Sequence, residues 1–140
     1  MNAHVAPAAV SRTIGRSALA VLAGLAISIL LALAIDLALH ALQVFPPWNE
    51  PMTEPGDNAL ALAYRIGIAT FSCYVAARLA PAAPMRHALI LGAIGMALAT
   101  LGLVAATVMN IGLLWYPAAL VVTALPCAWI GGALARRSAS

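Results

Sequence analysis

Four long apolar stretches account for most of the chain and alternate with short polar segments. They cover about residues 17–42, 59–80, 86–110 and 114–135. Each has about 22–26 residues, enough at 1.5 Å per residue to cross a hydrocarbon layer of roughly 30 Å as a helix. The helices of a soluble bundle would carry polar faces, and these stretches have almost none. The pattern predicts an all-α, polytopic membrane protein: one four-helix transmembrane domain with a single substantial loop, 43–58.

Composition supports the same class. Of the 140 residues, 64% are hydrophobic and only 8% are charged, with a mean hydropathy of +1.01, whereas soluble domains carry about 25% charged residues. The seven basic residues are all arginine and give a net charge of +3. They form no basic run and accompany no aromatic RNA-binding motif, so we expect no nucleic-acid partner.

The first apolar stretch also has features of a secretory signal. Arg12 and Arg16 precede it, and Ala32-Leu33-Ala34 could serve as a cleavage site. The stretch continues to residue 42, however, well beyond the 7–15 residues of a typical signal core, and three further spans follow. The pattern therefore favours an uncleaved first helix.

The distribution of arginines predicts the orientation. If the N-terminus is cytoplasmic, six of the seven arginines lie on the cytoplasmic side and the two outer loops contain no Lys or Arg. Such an asymmetry is typical of inner-membrane proteins. We therefore expect a multi-pass protein of the bacterial cytoplasmic membrane with both termini in the cytoplasm. The six residues are Arg12, Arg16, Arg78, Arg86, Arg136 and Arg137.

The loop 43–58 contains four prolines, which exclude a helix interior there. Phe45 and Trp48 have the amphipathic character of anchors at a membrane interface. Asp57 or Asn58 is expected to cap the second helix at its N-terminus. In the other outer turn, Asn110 and Gly112 indicate a tight connection.

Two ionisable residues lie well inside apolar stretches, Asp36 in the first and Arg65 in the second. A charge near the bilayer centre costs roughly 2.5–3.5 kcal/mol, so each should have a partner. Their depths below the outer surface match, which predicts an Asp36–Arg65 ion pair between neighbouring helices. The pair could simply fix which helix faces meet. Alternatively, with His40 as a proton relay and Tyr64 beside it, it could belong to a polar path; these four residues are the candidate site.

Small residues recur along the first three helices at intervals of three and four, a pattern that permits close packing of helix backbones. The pattern favours seams between helices over the lining of a pore. In the first helix Ala20, Gly24, Ser28 and Ala32 lead by fours to Asp36 and His40; the other two stripes are Ala61, Arg65, Ala69, Ser72 and Ala76, and Ala88, Gly92, Gly95, Ala99, Gly102 and Ala106. Pro126 inside the fourth stretch predicts a kink.

The remaining reactive residues define no catalytic, cofactor or metal site. Cys73 and Cys127 lie in apolar stretches and read as small hydrophobic residues, without a CxxC motif. The predicted topology separates His40 from His4 and His87, which disfavours a shared haem or zinc site. No GxSxG, HExxH, P-loop or GxGxxG motif is present. We therefore expect a protein that is not an enzyme and uses no cofactor.

Several segments resemble small four-span inner-membrane proteins of bacteria, for which no activity is established. They are residues 63–65, 74–81, 84–89 and 115–117, and the resemblance covers most of the chain from about Asp36. By size and span count the chain is also similar to the small multidrug resistance transporters, whose first helix carries an acidic residue that Asp36 would match. The late position of Asp36, its arginine partner and the long proline-rich loop depart from that family.

The sequence leads to two main functional hypotheses; a membrane-embedded enzyme comes third, because one Asp, one His and one Tyr near the outer face are too few to define a reaction. The first is a non-enzymatic accessory protein whose partners are membrane lipid and either another membrane protein or a second copy of itself. The second is a small oligomeric transporter or channel that uses Asp36, His40, Tyr64 and Arg65. A transporter would expose Asp36 or His40 to water, whereas a packing pair would not.

Overall fold

A computed structural model describes residues 7–138, with side chains from residue 12 onward; His4 lies outside the described residues. The described chain forms four α-helices and no strand. Helix α1 spans Pro7–Ala41, α2 Pro55–Leu79, α3 Pro84–Met109 and α4 Trp115–Arg137. All four are long and apolar enough to cross a membrane. The fold is thus the predicted four-helix bundle, although α1 begins about ten residues before the first apolar stretch.

The two ends of the bundle differ in their connections. One end, here called the long-loop end, carries the 42–54 loop and the 110–114 turn; the other, the terminal end, carries the start of α1, the 80–83 connector and the end of α4. In the 110–114 turn, Asn110 and Gly112 adopt positive φ angles of 52° and 69°, which confirms the predicted tight connection. At the terminal end, Arg78 Nη1 donates to the carbonyl of Ser138 at 3.0 Å and joins α2 to α4.

The predicted cap of α2 is wrong. Helix α2 begins four residues earlier than expected, with Glu54 as its N-cap and Pro55 in its first turn, where a missing N–H costs nothing. Asn58 is instead buried, and its amide donates to the carbonyl of Met52 at 3.0 Å and to that of Glu54 at 2.9 Å. Asn58 therefore fastens the end of the loop onto α2.

Helix α2 occupies the centre of the bundle. It packs against α1, α3 and α4, while α3 and α4 also pack extensively against each other. Helix α1 packs mainly on α2, touches α3, and makes no contact with α4 within residues 7–138. Helix α1 is therefore the most peripheral of the four.

Glycine and alanine bring the helices close together in the half of the bundle nearest the terminal end. A Cβ atom on Gly24 would lie 2.9 Å from the Ser72 carbonyl oxygen, and one on Gly131 would lie 2.5 Å from that of Thr70. A Cβ atom on Gly92 of α3 would lie closer still to the Cβ atom of Ala128 on α4. These positions, called here the tight seam, can accept no side chain without displacing backbone or a packed neighbour.

Towards the long-loop end, the same stripes of small residues no longer form a seam between helices. Ser28, Ala32 and Asp36 of α1 line an interhelical cavity, as do Arg65 and Ala69 of α2 and Gly95, Ala99, Gly102 and Ala106 of α3. A Cβ on Gly95 or Gly102 would meet no atom within 4 Å. The expectation that each whole stripe forms a seam is therefore wrong for the half near the long-loop end. Sequence periodicity identifies a face of small residues, but it cannot reveal where neighbouring helices diverge.

Helix α4 continues through Pro126. Just beyond it, towards the terminal end, Cys127 and Ala128 are buried in the tightly packed half. On its other side, Thr123 and Ala124 line the cavity. Cys127 also lines the cavity, so Pro126 lies near, rather than at, the boundary between the tight seam and the more open half.

Candidate binding site

The charged pair lies between α1 and α2, in the half of the bundle nearest the long-loop end. Arg65 Nη2 donates to Asp36 Oδ2 at 2.7 Å, which confirms the predicted ion pair. Tyr64, adjacent to Arg65 on α2, donates its hydroxyl to the other carboxylate oxygen, Oδ1. Both carboxylate oxygens therefore accept a hydrogen bond from α2, and together these contacts hold α1 against it.

The pair is only partly enclosed. The side chain of Asp36 is 18% exposed and that of Arg65 is 34% exposed. Arg65 lies 5.8 Å from the centre of the Tyr64 ring, close enough for a cation–π contact. Its Nε atom is buried and has no hydrogen-bond partner among the described residues. The guanidinium therefore retains a donor that the ion pair does not use.

His40, the fourth predicted site residue, is directed away from the carboxylate. Its Nδ1 donates to the backbone carbonyl of Asp36 at 2.7 Å, which requires the proton on Nδ1 because a carbonyl only accepts. The ring stacks on Trp48 with centroids 3.7 Å apart and meets the edge of Phe45 at 5.5 Å. The sequence brought four residues into one hypothesis, and the structure groups three of them while His40 holds the loop.

The two loop aromatics do not share the anchoring role expected of them. Phe45 is buried, whereas Trp48 is exposed on the outer side of the His40 ring. Of the two loop aromatics, therefore, Trp48 alone has the exposed ring that an interface anchor needs.

An interhelical cavity of about 770 Å³ reaches the ion pair and is lined by all four helices. Most of its lining is apolar. The small residues of the α3 stripe nearest the long-loop end form one of its walls. Its polar groups include Asp36, Arg65, Asn58, Ser72 and Tyr116. A cavity of this volume, mostly apolar with a few convergent polar groups, is typical of small-molecule sites.

Sequence reasoning missed the contribution of three of these polar residues. Tyr116 lines the cavity, and nothing in the sequence pattern around it indicated that position. Ser72 follows Arg65 by two helical turns, so periodicity placed it on the correct face, but a serine there also fits a packing stripe. The sequence indicated Asn58 as a possible helix cap, and nothing in it indicated that Asn58 lines a cavity. Only the spacing of Ser72 carried usable information.

Nucleophilic and metal-binding groups are sparse around this cavity. Cys73 and Cys127 are both buried, both free, and both line it. Within residues 7–138, no group of three His, Cys, Asp or Glu side chains is placed to hold a metal ion. The cavity's polar groups thus consist of one neutralised ion pair and several hydrogen-bond donors.

The fold and site together define a class: an all-helical bundle of four potential membrane spans, with an ion pair between the first two and a cavity beside it. No protein-family model, no curated protein and no solved structure matches this chain.

Proposed function

We propose that this chain is a non-enzymatic, multi-pass protein of the bacterial cytoplasmic membrane that acts through contacts, as an accessory subunit or part of a small assembly. The observation that carries this proposal is the engagement of both Asp36 oxygens, by Tyr64 and by Arg65. A carboxylate that carries protons or cations must release its protein partners in each cycle. Release here would leave two separated charges in a low-dielectric setting, which is costly. The arrangement therefore favours a pair that holds α1 on α2.

Membrane lipid and a second membrane protein, or a second copy of this chain, are the proposed partners. Large apolar side chains cover the outer surface of the helices, including Leu30 and Leu37 on α1 and Val122 and Trp129 on α4. The orientation proposed is that with both termini in the cytoplasm. Its support is the placement of Arg78, Arg86, Arg136 and Arg137 near the terminal end, as the positive-inside rule requires.

A small oligomeric transporter is the second candidate, and one observation favours it. The interhelical cavity reaches both Asp36 and Arg65, so a solute that entered it would meet the ion pair. Transport would require that this cavity admit water from the long-loop end during the cycle.

Cysteine accessibility distinguishes the two candidates. In a background with Cys73→Ala and Cys127→Ala, Ser28→Cys places a thiol in the cavity, Thr53→Cys places one in the exposed loop, and Val122→Cys places one on the lipid-facing surface. A charged maleimide applied to intact vesicles should modify position 53 and neither of the other two. Modification of position 28 at the rate of position 53 would favour the transporter and contradict a purely structural pair.

The accessory role itself is tested by purification of the tagged chain from native membranes under mild detergent. The expected result is one other membrane protein, or a second differently tagged copy, recovered in a fixed ratio to the chain. Recovery of the chain alone as a monomer, after crosslinking in the intact membrane, would contradict the proposal.

A further inference from the structure

The terminal end of the bundle concentrates positive charge. Six arginines lie there with exposed side chains, and within residues 7–138 this end carries no Asp or Glu. The four acidic residues of the chain are Asp36, inside α1, and Glu50, Glu54 and Asp57 near the long-loop end. Even Asp36 lies about 30 Å from Arg16 along α1, at 1.5 Å per residue. The six residues, called here the arginine surface, are Arg12, Arg16, Arg78, Arg86, Arg136 and Arg137.

Two contacts place the arginines of three helices at one level. Arg78 Nη1, in the last turn of α2, donates to the carbonyl of Ser138 at the end of α4. A Cβ atom on Gly132 of α4 would lie 2.8 Å from the Sδ atom of Met85, which precedes Arg86 in α3. The arginines of α2, α3 and α4 therefore form one layer across the end of the bundle.

Each of these three helices also carries an exposed leucine within one turn of its arginine. These leucines are 37–52% exposed, in helices apolar enough to span a membrane. Such side chains contact hydrocarbon, so the arginines beside them lie at the depth of the lipid headgroups. A phospholipid covers both the apolar and the charged part of this surface, whereas a soluble anion covers the charged part alone. The pairs are Leu79 with Arg78, Leu89 with Arg86, and Leu134 with Arg137.

The charge of the surface selects the kind of headgroup. A guanidinium presents a planar fork of N–H donors that matches the oxygens of a phosphate. A zwitterionic headgroup places an ammonium beside its phosphate, and a cluster of arginines repels that cation. A headgroup with a net negative charge is therefore favoured.

The position of Arg86 supports an anionic partner independently. A helix dipole favours a cation in the last turn, where Arg78, Arg136 and Arg137 lie, and disfavours one in the first turn. Arg86 lies in the first turn of α3, which contains no acidic residue. Its own helix therefore does not account for Arg86, whereas an anion from outside the chain would compensate its charge.

We propose that the arginine surface binds phospholipids with a net negative headgroup, whose phosphate oxygens accept hydrogen bonds from the exposed guanidinium groups. The acyl chains lie along the exposed leucines of α2, α3 and α4. This inference rests on the proposed placement of the four helices in a membrane and names the class of lipid that they contact. It does not depend on the accessory role.

Lipid retention by the purified full chain tests the proposal. The chain is reconstituted in vesicles of equal amounts of phosphatidylglycerol and phosphatidylcholine and extracted in a mild detergent, and the lipids that remain bound are measured by mass spectrometry. Phosphatidylglycerol should be enriched about fivefold, the preference expected for one arginine near an anionic headgroup. Equal retention of the two lipids would overturn the proposal.

Charge changes at the two ends provide the matched comparison. The double variant Arg86→Gln, Arg137→Gln should lose most of the enrichment, and the corresponding double lysine variant should keep most of it. Glu50→Gln changes the charge of the exposed long loop and should have no effect. Unchanged enrichment in the double Gln variant, or a rise in the Glu50→Gln variant, would overturn the assignment to this surface.

Thermal unfolding in dodecyl maltoside separates lipid binding from folding. Without lipid, Arg86→Gln should melt at or above the temperature of the parent chain, because it removes a cation that the α3 dipole disfavours. Added phosphatidylglycerol should raise the Tm of the parent more than that of the variant, and phosphatidylcholine or inorganic phosphate should raise neither. An equal rise with inorganic phosphate would overturn the assignment of a lipid. An equal rise in parent and variant would overturn the role of Arg86.

Alkaline carbonate extraction of native membranes checks the membrane placement by itself. The chain should stay in the membrane fraction. Release by carbonate would contradict the membrane placement and this inference with it, whereas a chain that stays in the membrane and retains both lipids equally would contradict this inference alone.

Discussion

Asp36 and Arg65, 29 positions apart in the chain, meet at 2.7 Å and join α1 to α2. Removing one partner leaves the other charge poorly compensated. Because both side chains keep some exposure, we expect Asp36→Asn or Arg65→Gln to cost about 1–3 kcal/mol, less than the 3–5 kcal/mol of fully buried pairs. The double variant should recover part of this loss. The measurement is thermal unfolding in one detergent, and a double variant equal to the sum of the singles would show that the two residues are not coupled.

Substitution of glycine by alanine should lower stability in the tight seam and raise it along the cavity wall. Gly131→Ala places a Cβ 2.5 Å from the Thr70 carbonyl oxygen and 2.8 Å from the Tyr74 amide nitrogen, both backbone atoms, so we expect a loss of about 1–3 kcal/mol. Gly95→Ala meets no atom within 4 Å and improves helix propensity by up to about 1 kcal/mol. Melting temperatures of the two variants in the same detergent provide the comparison. Equal destabilisation would show that the cavity wall is as tightly packed as the seam.

The aromatic stack on His40 should hold the long loop in place. Trp48→Ala removes a ring 3.7 Å from that of His40, a contact worth about 0.5–1.5 kcal/mol. We expect faster cleavage of the 42–54 loop by a protease added on that side of the membrane. Trp129→Ala, which removes an exposed ring from the surface of α4, serves as the control and should leave the rate unchanged. Identical rates in both variants and the parent chain would mean that the stack does not order the loop.

The proposed orientation is tested with a reporter that is active only in the periplasm. Fused at Glu54, in the long loop, it should give a signal, and fused after Ser140 it should give none. Both results follow from the orientation that the arginine distribution predicts, in which six arginines lie in the cytoplasm. A signal from the fusion after Ser140 would require an odd number of spans or the opposite orientation.

The sequence predicted the helices and the ion pair because both follow from large free-energy costs that can be read from the residues themselves. Apolar length fixes the spans, and a carboxylate such as Asp36 in an apolar helix must find a partner, for which Arg65 was the single candidate at the right depth. The cavity was not predictable, since Gly92 and Gly95 belong to the same stripe and only the divergence of the helices separates their environments. The same limit applies to His40, whose spacing from Asp36 predicts proximity but not the direction of its ring. The ring direction depends on contacts with Phe45 and Trp48 of the loop, which no periodic pattern in the sequence indicates.

Pro126 lies between two parts of α4 that differ in how closely they are packed. Because proline has no backbone N–H, the carbonyl one turn earlier, at Val122, lacks its helical donor, and bending at this point costs less than elsewhere in α4. On one side of Pro126, Gly131 packs closely against α2 and Gly132 packs closely against α3. On the other, Tyr116 and Leu120 stand along the cavity wall. A bend at Pro126 would therefore move the segment of α4 nearest the long-loop end and change the width of the cavity, while the packing of Gly131 and Gly132 against α2 and α3 stayed in place.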